Sequence, residues 1–519
     1  MRGAVAAGHQ LTAEAGARIL REGGTAVDAC IAAAFMSWVA ESPLSGPGAG
    51  GFMLVHRASD RSTRLLDFFV ATPGLGARAD GRGEMERVDV DFSGESTQMF
   101  RIGSASCAVP GAVAGLAAAH RRFATLPWRT LLEPAIEAAR IGVEMTRQQV
   151  YLHAILDVIL RHTDEGRRVY SIDGARPAAG DVLRLPDLAG TLERLAERPT
   201  DLYEGELAAG IVRHLAETGG AVTAEDLRRY RVIWRRPVRA SFRGCTFESN
   251  PPPSSGGVLI GYGLTLLDRI GVGSPGSAEA VAALVEVMRE QDRARRDRFT
   301  TRLHRGGLVR HLFAESTIRA AERRIAHGAG FASEPAPPGG TTHISVVDAA
   351  GNAASMSAST GSGSGVIVPE TGIQMNNMLG EYDLNPSRRT LAPGHRMTSM
   401  MAPSIVEQDD EPRLVVGSAG SVRLRGAIMQ VVVNVVGHGL SVREAIDRPR
   451  VHVDGSDVHC EGGLDPATLD ALEAAGYDVV RWRRQNLFFG GTSAVERRED
   501  GRLAAAGDPR RGGCGVVVE

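Results

Sequence analysis

Lysine is absent from this 519-residue sequence: all 59 residues of its combined Lys and Arg count are arginine. That absence excludes a P-loop, which needs a Lys on its phosphates. It also excludes a lysine Schiff base and a kinase-type ATP site. An excess of one charge is missing too, since 61 Asp and Glu leave a net charge of −2. Nucleic acid needs a basic surplus and is not an expected partner. No apolar run is long enough to span a bilayer; the best candidate, Ala26–Ala40, is short and contains Asp28. Met1-Arg2-Gly3-Ala4 opens without the apolar stretch of a signal peptide, so a cytoplasmic location is expected. The five cysteines (Cys30, Cys107, Cys245, Cys460, Cys514) are scattered and form no CxxC, which argues against a zinc ribbon or a disulfide framework. There is no HxxxH on a helical stretch, no cluster of carboxylates and no GxSxG elbow. No metal and no cofactor are expected.

What is present is an apolar fraction of 43%, ample for a core, in a length that allows several domains or one large one. The chain begins with alternating short strands and helices. Thr12 opens a helical pattern that stops at Gly23-Gly24, and Thr25 caps a second helix running to about Ala40. Ser45–Gly51 is a glycine-rich loop leading into a strand at Phe52–His56. Residues 110–235 and 277–330 read as mainly helical, and Asn250–Gly257 reads as a loop. Ala336–Gly340 marks a flexible break. Thr341–Asp348 then alternates as a strand, turns at Ala349–Asn352 and returns over Ala353–Ser359. The remainder reads as strand-rich, with a hairpin at Asp500-Gly501 and one helix from Asp465 to Gly476.

Gly46-Pro47-Gly48-Ala49-Gly50-Gly51 matches GxGxxG, but a helix precedes it and a strand follows, the reverse of a dinucleotide site. It reads as a close-packing loop. Gly361–Gly365 reads as a mobile or substrate-facing loop, and His343 as a satisfied or surface histidine. The strongest chemical signal is Gly340-Thr341-Thr342 at the head of a strand. A Thr hydroxyl that attacks its own preceding carbonyl cleaves the chain through an ester. It then owns an α-amine of pKa around 8 as its base.

With the blocks around it, this signal resembles the γ-glutamyltransferase (γ-glutamyltranspeptidase) family. The blocks include Gly23–Ala29, Gly50–Leu54, Val109–Gly115, Asn250–Gly257, Thr341–Asp348, Gly372–Asn377, Ser399–Ile405, Gly417–Gly420 and Asp508–Arg510. The resemblance implies an α/β (α+β) fold, the four-layer αββα sandwich of N-terminal-nucleophile (Ntn) hydrolases. It implies autocatalytic cleavage between Gly340 and Thr341, giving a large subunit (residues 1–340) and a small one (341–519) that stay associated. Thr341 matches the nucleophile and Ser359 the hydroxyl beside it. Gly420 and Ser421 match the oxyanion pair, and Thr398 and Ser399 the hydroxyls that bind the substrate carboxylate.

The departures lie in substrate recognition. Phe69 stands where the family has its carboxylate-clamping Arg. Glu381 stands for the Asp that holds the α-amino group, Met378 for a nearby Gln or Glu, and Gly361 for an Asn. The expected activity is acyl transfer from, or hydrolysis of, a γ-glutamyl-like amide of a small-molecule substrate through a Thr341 acyl-enzyme, with altered acyl specificity. Two rival readings exist: hydrolysis of a C–C bond beside a carbonyl by the same Thr, as in homologues from actinobacterial natural-product pathways, or a processed but inactive scaffold. A homo-oligomer of the processed pair is compatible with either.

Overall fold

The computed structural model describes residues 2–76, 83–91, 97–296, 298–327, 340–381, 384, 392–420 and 423–519. Its centre is a pair of sheets, with strands numbered here along the chain. The first contains β1 (Gly3–Ala7), β2 (Gly50–Arg57), β3 (Ser62–Phe68), β4 (Ile233–Arg235), β7 (Thr342–Asp348), β8 (Ala353–Ser359) and β13 (Cys514–Val518), in the order β13-β1-β7-β8-β2-β3-β4. The second contains β5 (Val238–Phe242), β6 (Cys245–Ser249), β9 (Ser404–Gln408), β10 (Glu411–Ala419), β11 (Gly491–Arg497) and β12 (Leu503–Gly507), in the order β12-β11-β10-β9-β6-β5. Helices α1 (Gln10–Arg21) and α2 (Ala26–Ala40) cover the first sheet; α3 (Gly256–Ile270) and α4 (Arg423–Val432) cover the second. This is the expected αββα sandwich. Among the described residues no helix is long and apolar enough to cross a membrane.

The period of two in β1 and β2 sorts their side chains between the layers. Val5, Ala7, Met53 and Val55 join the core under α1 and α2, while Ala4, Ala6, Phe52 and Leu54 join the core of the second sheet. Helix α2 is apolar around its whole circumference, and all its residues are buried. Its start is fixed as expected by Thr25, which forms a reciprocal capping box with Asp28.

Three local expectations need correction. The first helix starts at Gln10 with His9 as its cap, and Thr12 lies inside it, buried, donating to Glu41 Oε1 at 2.8 Å. Asn250–Ser255 is a loop, but Gly256 and Gly257 belong to the first turn of α3, where a Cβ on Gly256 would strike the Met400 carbonyl. Beyond Thr341, besides Pro466–Ala474 with Asp465 as cap, two further helices appear, α4 and Val442–Asp447. The run Val431–Val436 is β-branched and looks like a strand in sequence. It is helical because it packs, buried, on the second sheet, and tertiary burial outweighs propensity. Ala336–Gly339 of the expected break lie outside the described residues.

Candidate active site

The site forms where four neighbouring segments of the first sheet end at one level. Thr342 pairs with Ala358 and Ser359 with Gly50, so one further step of the register sets Thr341 opposite Ser359. Gly51 pairs with Phe68, which brings Phe69 beside Gly50. A Cβ on Gly50 would lie 2.7 Å from Val70 N, so the glycine is required for that approach. The GxGxxG loop is therefore a packing device, as its reversed context indicates. Alternation puts His343 and Ser345 on the inner face, where His343 Nδ1 meets Ser357 Oγ at 2.8 Å and Nε2 meets Ser345 Oγ at 2.9 Å. His343 is thus a buried, satisfied histidine, and burial draws its pKa down to about 3.

Thr341 is 4% exposed and lines a cleft of about 330 Å³. Phe69, Ser359, Gly361, Met378, Glu381 and Ser399 line the same cleft, joined by Gly340, Leu384, Met400, Met401 and Leu424. Most of the residues singled out in the sequence thus converge. Thr398 and Gly420 are not among the lining residues, and Ser421 lies outside the described residues. Among the described residues Thr398 Oγ1 is buried without a hydrogen-bond partner. Gly420 follows β10 with φ +122, a backbone region that favours glycine.

The Gly340–Thr341 peptide is held by hydrogen bonds on its carbonyl side. Ser359 Oγ donates to the Gly340 carbonyl oxygen, and Gly361 N donates to Ser359 Oγ at 2.8 Å. The loop Gly361–Gly365 is buried and pinned rather than mobile: Ser362 N donates to Asn377 Oδ1 and Glu381 Oε1, each at 3.0 Å. Asn377 Nδ2 donates to Ser362 Oγ at 2.6 Å. Ser399 Oγ accepts from Met401 N at 3.0 Å, and its carbonyl accepts from Ser255 N at 2.8 Å.

Phe69 is wholly buried and stacks on Phe52, with ring centroids 5.4 Å apart. Arg396 lies beside it but beneath its backbone. That guanidinium donates to Phe69 O and, at 2.8 Å, to Tyr230 Oη, and it pairs with Asp67 at 3.1 Å. Asp67 also pairs with Arg235 at 2.8 Å and accepts from Phe69 N at 3.1 Å. Arg396 therefore fixes the Phe69 segment and does not reach into the cleft as a replacement clamp.

Sequence reading missed two side chains that share a cavity with Thr341. Glu41, at the end of α2, accepts from Thr342 Oγ1 at 2.7 Å, and burial raises its carboxyl pKa. Nothing local in the sequence marks it. Arg511, whose own pKa burial lowers to about 10, follows the Asp508–Arg510 block. Both line a second cavity that also reaches Thr341.

The sequence profile described as Gamma-glutamyltranspeptidase matches residues 12–518. The acylase ACY 1 proenzyme of Pseudomonas sp. (strain SE83) is 32% identical, covering 100% of this chain and 94% of its own length. The glutathione hydrolase proenzyme of Escherichia coli (strain K12) is 31% identical, covering 98% of this chain and 90% of its own. The crystal structure of cephalosporin acylase from Bacillus halodurans superposes with a TM-score of 0.86 at 27% identity, covering 100% of this chain and 96% of that one.

Proposed function

This chain belongs to the gamma-glutamyltranspeptidase family of hydrolases and transferases with an N-terminal nucleophile, and we propose that it is a self-cleaving amide acylase whose acyl group is apolar rather than γ-glutamyl. In self-cleavage Thr341 Oγ attacks the Gly340 carbonyl carbon. The Gly340–Thr341 C–N bond breaks as the ester forms, which frees the Thr341 amine, and water then hydrolyses the ester to the Gly340 carboxylate and the Thr341 hydroxyl. Ser359, donating to the Gly340 oxygen, stabilises the charge that develops there. Residues 1–340 and 341–519 stay together because β7 and β8 lie between β1 and β2 in one sheet. In turnover the new amine takes the Thr341 hydroxyl proton, Oγ attacks the substrate carbonyl, and the backbone amides of Gly420 and Ser421 hold the oxyanion. The protonated amine delivers its proton to the departing amine. Water, or a second amine, then takes the acyl group. Ser399, on the cleft wall, offers its hydroxyl to the substrate.

The observation that carries the acyl assignment is the cleft wall. Phe69, Met378, Leu384, Met400, Met401 and Leu424 are apolar, and no cationic side chain is among the described lining residues. A glutamyl α-carboxylate would lose its hydration there without a charged partner, a cost of roughly 1–3 kcal/mol or more. The relatives named acylase, and the superposed cephalosporin acylase, support an amide bond as the target. The test compares hexanoyl-p-nitroanilide with γ-glutamyl-p-nitroanilide on the processed enzyme. A kcat/KM at least tenfold higher for the hexanoyl substrate is expected; a preference for the γ-glutamyl one would overturn the assignment.

A further inference from the structure

Self-cleavage passes through the same kind of ester as turnover. When the carbonyl carbon of Gly340 moves from Thr341 N to Thr341 Oγ, the product is an acyl-enzyme whose acyl group is the large subunit. Gly340 is therefore the first acyl residue that this nucleophile carries, and it lines the same cleft as Phe69. Its surroundings are narrow. Gly340 N donates to Gly361 O at 2.9 Å, and Gly340 O accepts from Ser359 Oγ. A Cβ on Gly340 would lie 2.6 Å from Gly361 O and 2.9 Å from Leu44 Cδ2.

The Gly361 carbonyl cannot turn aside. Its peptide shares the Ser362 N–H, which donates to Asn377 Oδ1 and to Glu381 Oε1 at 3.0 Å each. On the other side Gly361 N donates to Ser359 Oγ at 2.8 Å. Leu44 is buried, and its carbonyl accepts from Thr360 N at 3.1 Å, so it is tied to the same segment. A substituent forced against fixed backbone is paid for in full, because a packed interior yields little. The carbonyl also has a use once Gly340 has gone. Departure of Gly340 takes away the N–H that Gly361 O accepts, and Gly361 stays in the cleft wall. A buried acceptor left without a donor is costly, and a donor on the substrate restores the bond.

Resting on the reading that Thr341 is the acyl nucleophile of an apolar cleft, we propose that Gly361 and Leu44 select the acyl group at the carbon next to the scissile carbonyl. That carbon carries no branch where an L-residue has its Cβ, and Gly361 O accepts an N–H borne on it. The substrate class is the N-acylglycyl amide, a glycyl amide whose nitrogen holds an apolar acyl chain. Thr341 Oγ attacks the glycyl carbonyl, the C–N bond to the leaving amine breaks as that amine takes a proton, and water releases the N-acylglycine. The glycyl N–H seats on Gly361 O as Gly340 N does in the uncleaved chain, and the apolar chain lies along Met378, Met400 and Met401. The L-alanyl counterpart meets the Gly361 carbonyl first, an obstacle that no rotamer change can remove.

The probes are the p-nitroanilides of N-butanoylglycine, of N-butanoyl-L-alanine and of 4-oxoheptanoic acid, in which a methylene replaces the glycyl N–H. All three are assayed on the processed wild-type enzyme. The glycyl substrate is expected to exceed the L-alanyl one in kcat/KM by about 30-fold or more, the effect of overpacking a fixed site. It should exceed the ketone by about tenfold, the worth of one hydrogen bond. Equal turnover of the glycyl and L-alanyl substrates overturns the selection, and equal turnover of the glycyl substrate and the ketone overturns the role of Gly361 O. Leu44→Ala takes away the side-chain part of the obstacle and should narrow the glycyl-to-alanyl ratio; an unchanged ratio removes Leu44 from the selection. Hexanoyl and γ-glutamyl anilides in the same series separate this from the reading beneath it. An enzyme that prefers the γ-glutamyl anilide yet still separates glycyl from L-alanyl loses the apolar reading alone. One that prefers the hexanoyl anilide and treats glycyl and L-alanyl alike loses this selection alone.

Discussion

Ser359 donates its hydroxyl hydrogen to the carbonyl oxygen of Gly340, and Gly361 N, donating to Ser359 Oγ at 2.8 Å, fixes the direction of that hydroxyl. The uncleaved chain thus already presents a polarised carbonyl next to Thr341. Removing one donor of this kind slows a reaction by roughly 100- to 1,000-fold. Ser359→Ala should therefore accumulate uncleaved chain, while Ser359→Thr cleaves at a rate near that of the wild type. A time course on denaturing gels checks this, and wild-type cleavage by Ser359→Ala would disprove the assigned role.

Thr341→Ala removes the attacking oxygen and should give one intact chain on the gel and by intact mass. Thr341→Ser keeps a hydroxyl and should still yield fragments that separate between Gly340 and the new Ser. Fragments from the alanine variant would place the nucleophile elsewhere.

Phe69→Arg puts a guanidinium into the cleft where Phe69 now stacks on Phe52. Two charge-assisted bonds of about 1.5 kcal/mol each amount to roughly 100-fold for a glutamyl carboxylate. The ratio of kcat/KM for γ-glutamyl over hexanoyl anilide should rise by about that factor. An unchanged ratio would mean that the ring does not face the acyl group.

Burial lowers the His343 pKa from 6.5 to about 3. Between these values the unfolded chain holds a proton on this ring and the folded chain does not. Stability therefore rises with pH across that window, and is lost as pH falls below 6.5, by up to about 1.4 kcal/mol per pH unit. His153 and His459, both drawn down to about 4 chiefly by burial, act with the same sign. His343→Gln should melt lower at neutral pH, having lost its bonds to Ser357 and Ser345. Its melting temperature should also fall less steeply toward acid than that of the wild type. Parallel acid limbs for the two proteins would assign the slope to other groups.

The legible parts of the sequence were the local ones. Thr25 and Asp465 announced their helices because a cap is made within three residues. Thr341–Asp348 and its return announced a hairpin because alternation shows in the side chains themselves. Phe69 was found as a departure from a pattern, but only the register of β2 against β3 and β8 explains why it shares a cleft with Thr341. The strand-rich reading of the C-terminal part missed the helices there, because burial and not composition decides that Val431–Val436 is helical.

The sequence by itself determined the family, and it marked Thr341 as the candidate nucleophile and Phe69 as the departure from the family's clamping arginine, since each is written in contiguous residues. Only the tertiary structure decided that Glu41 meets Thr342 across 301 positions, that Arg396 is tied beneath Phe69, and that Glu41 and Arg511 share a cavity with Thr341. Those relationships depend on sheet order and on which polar groups lose their water on folding, and neither quantity is carried by any short stretch of chain.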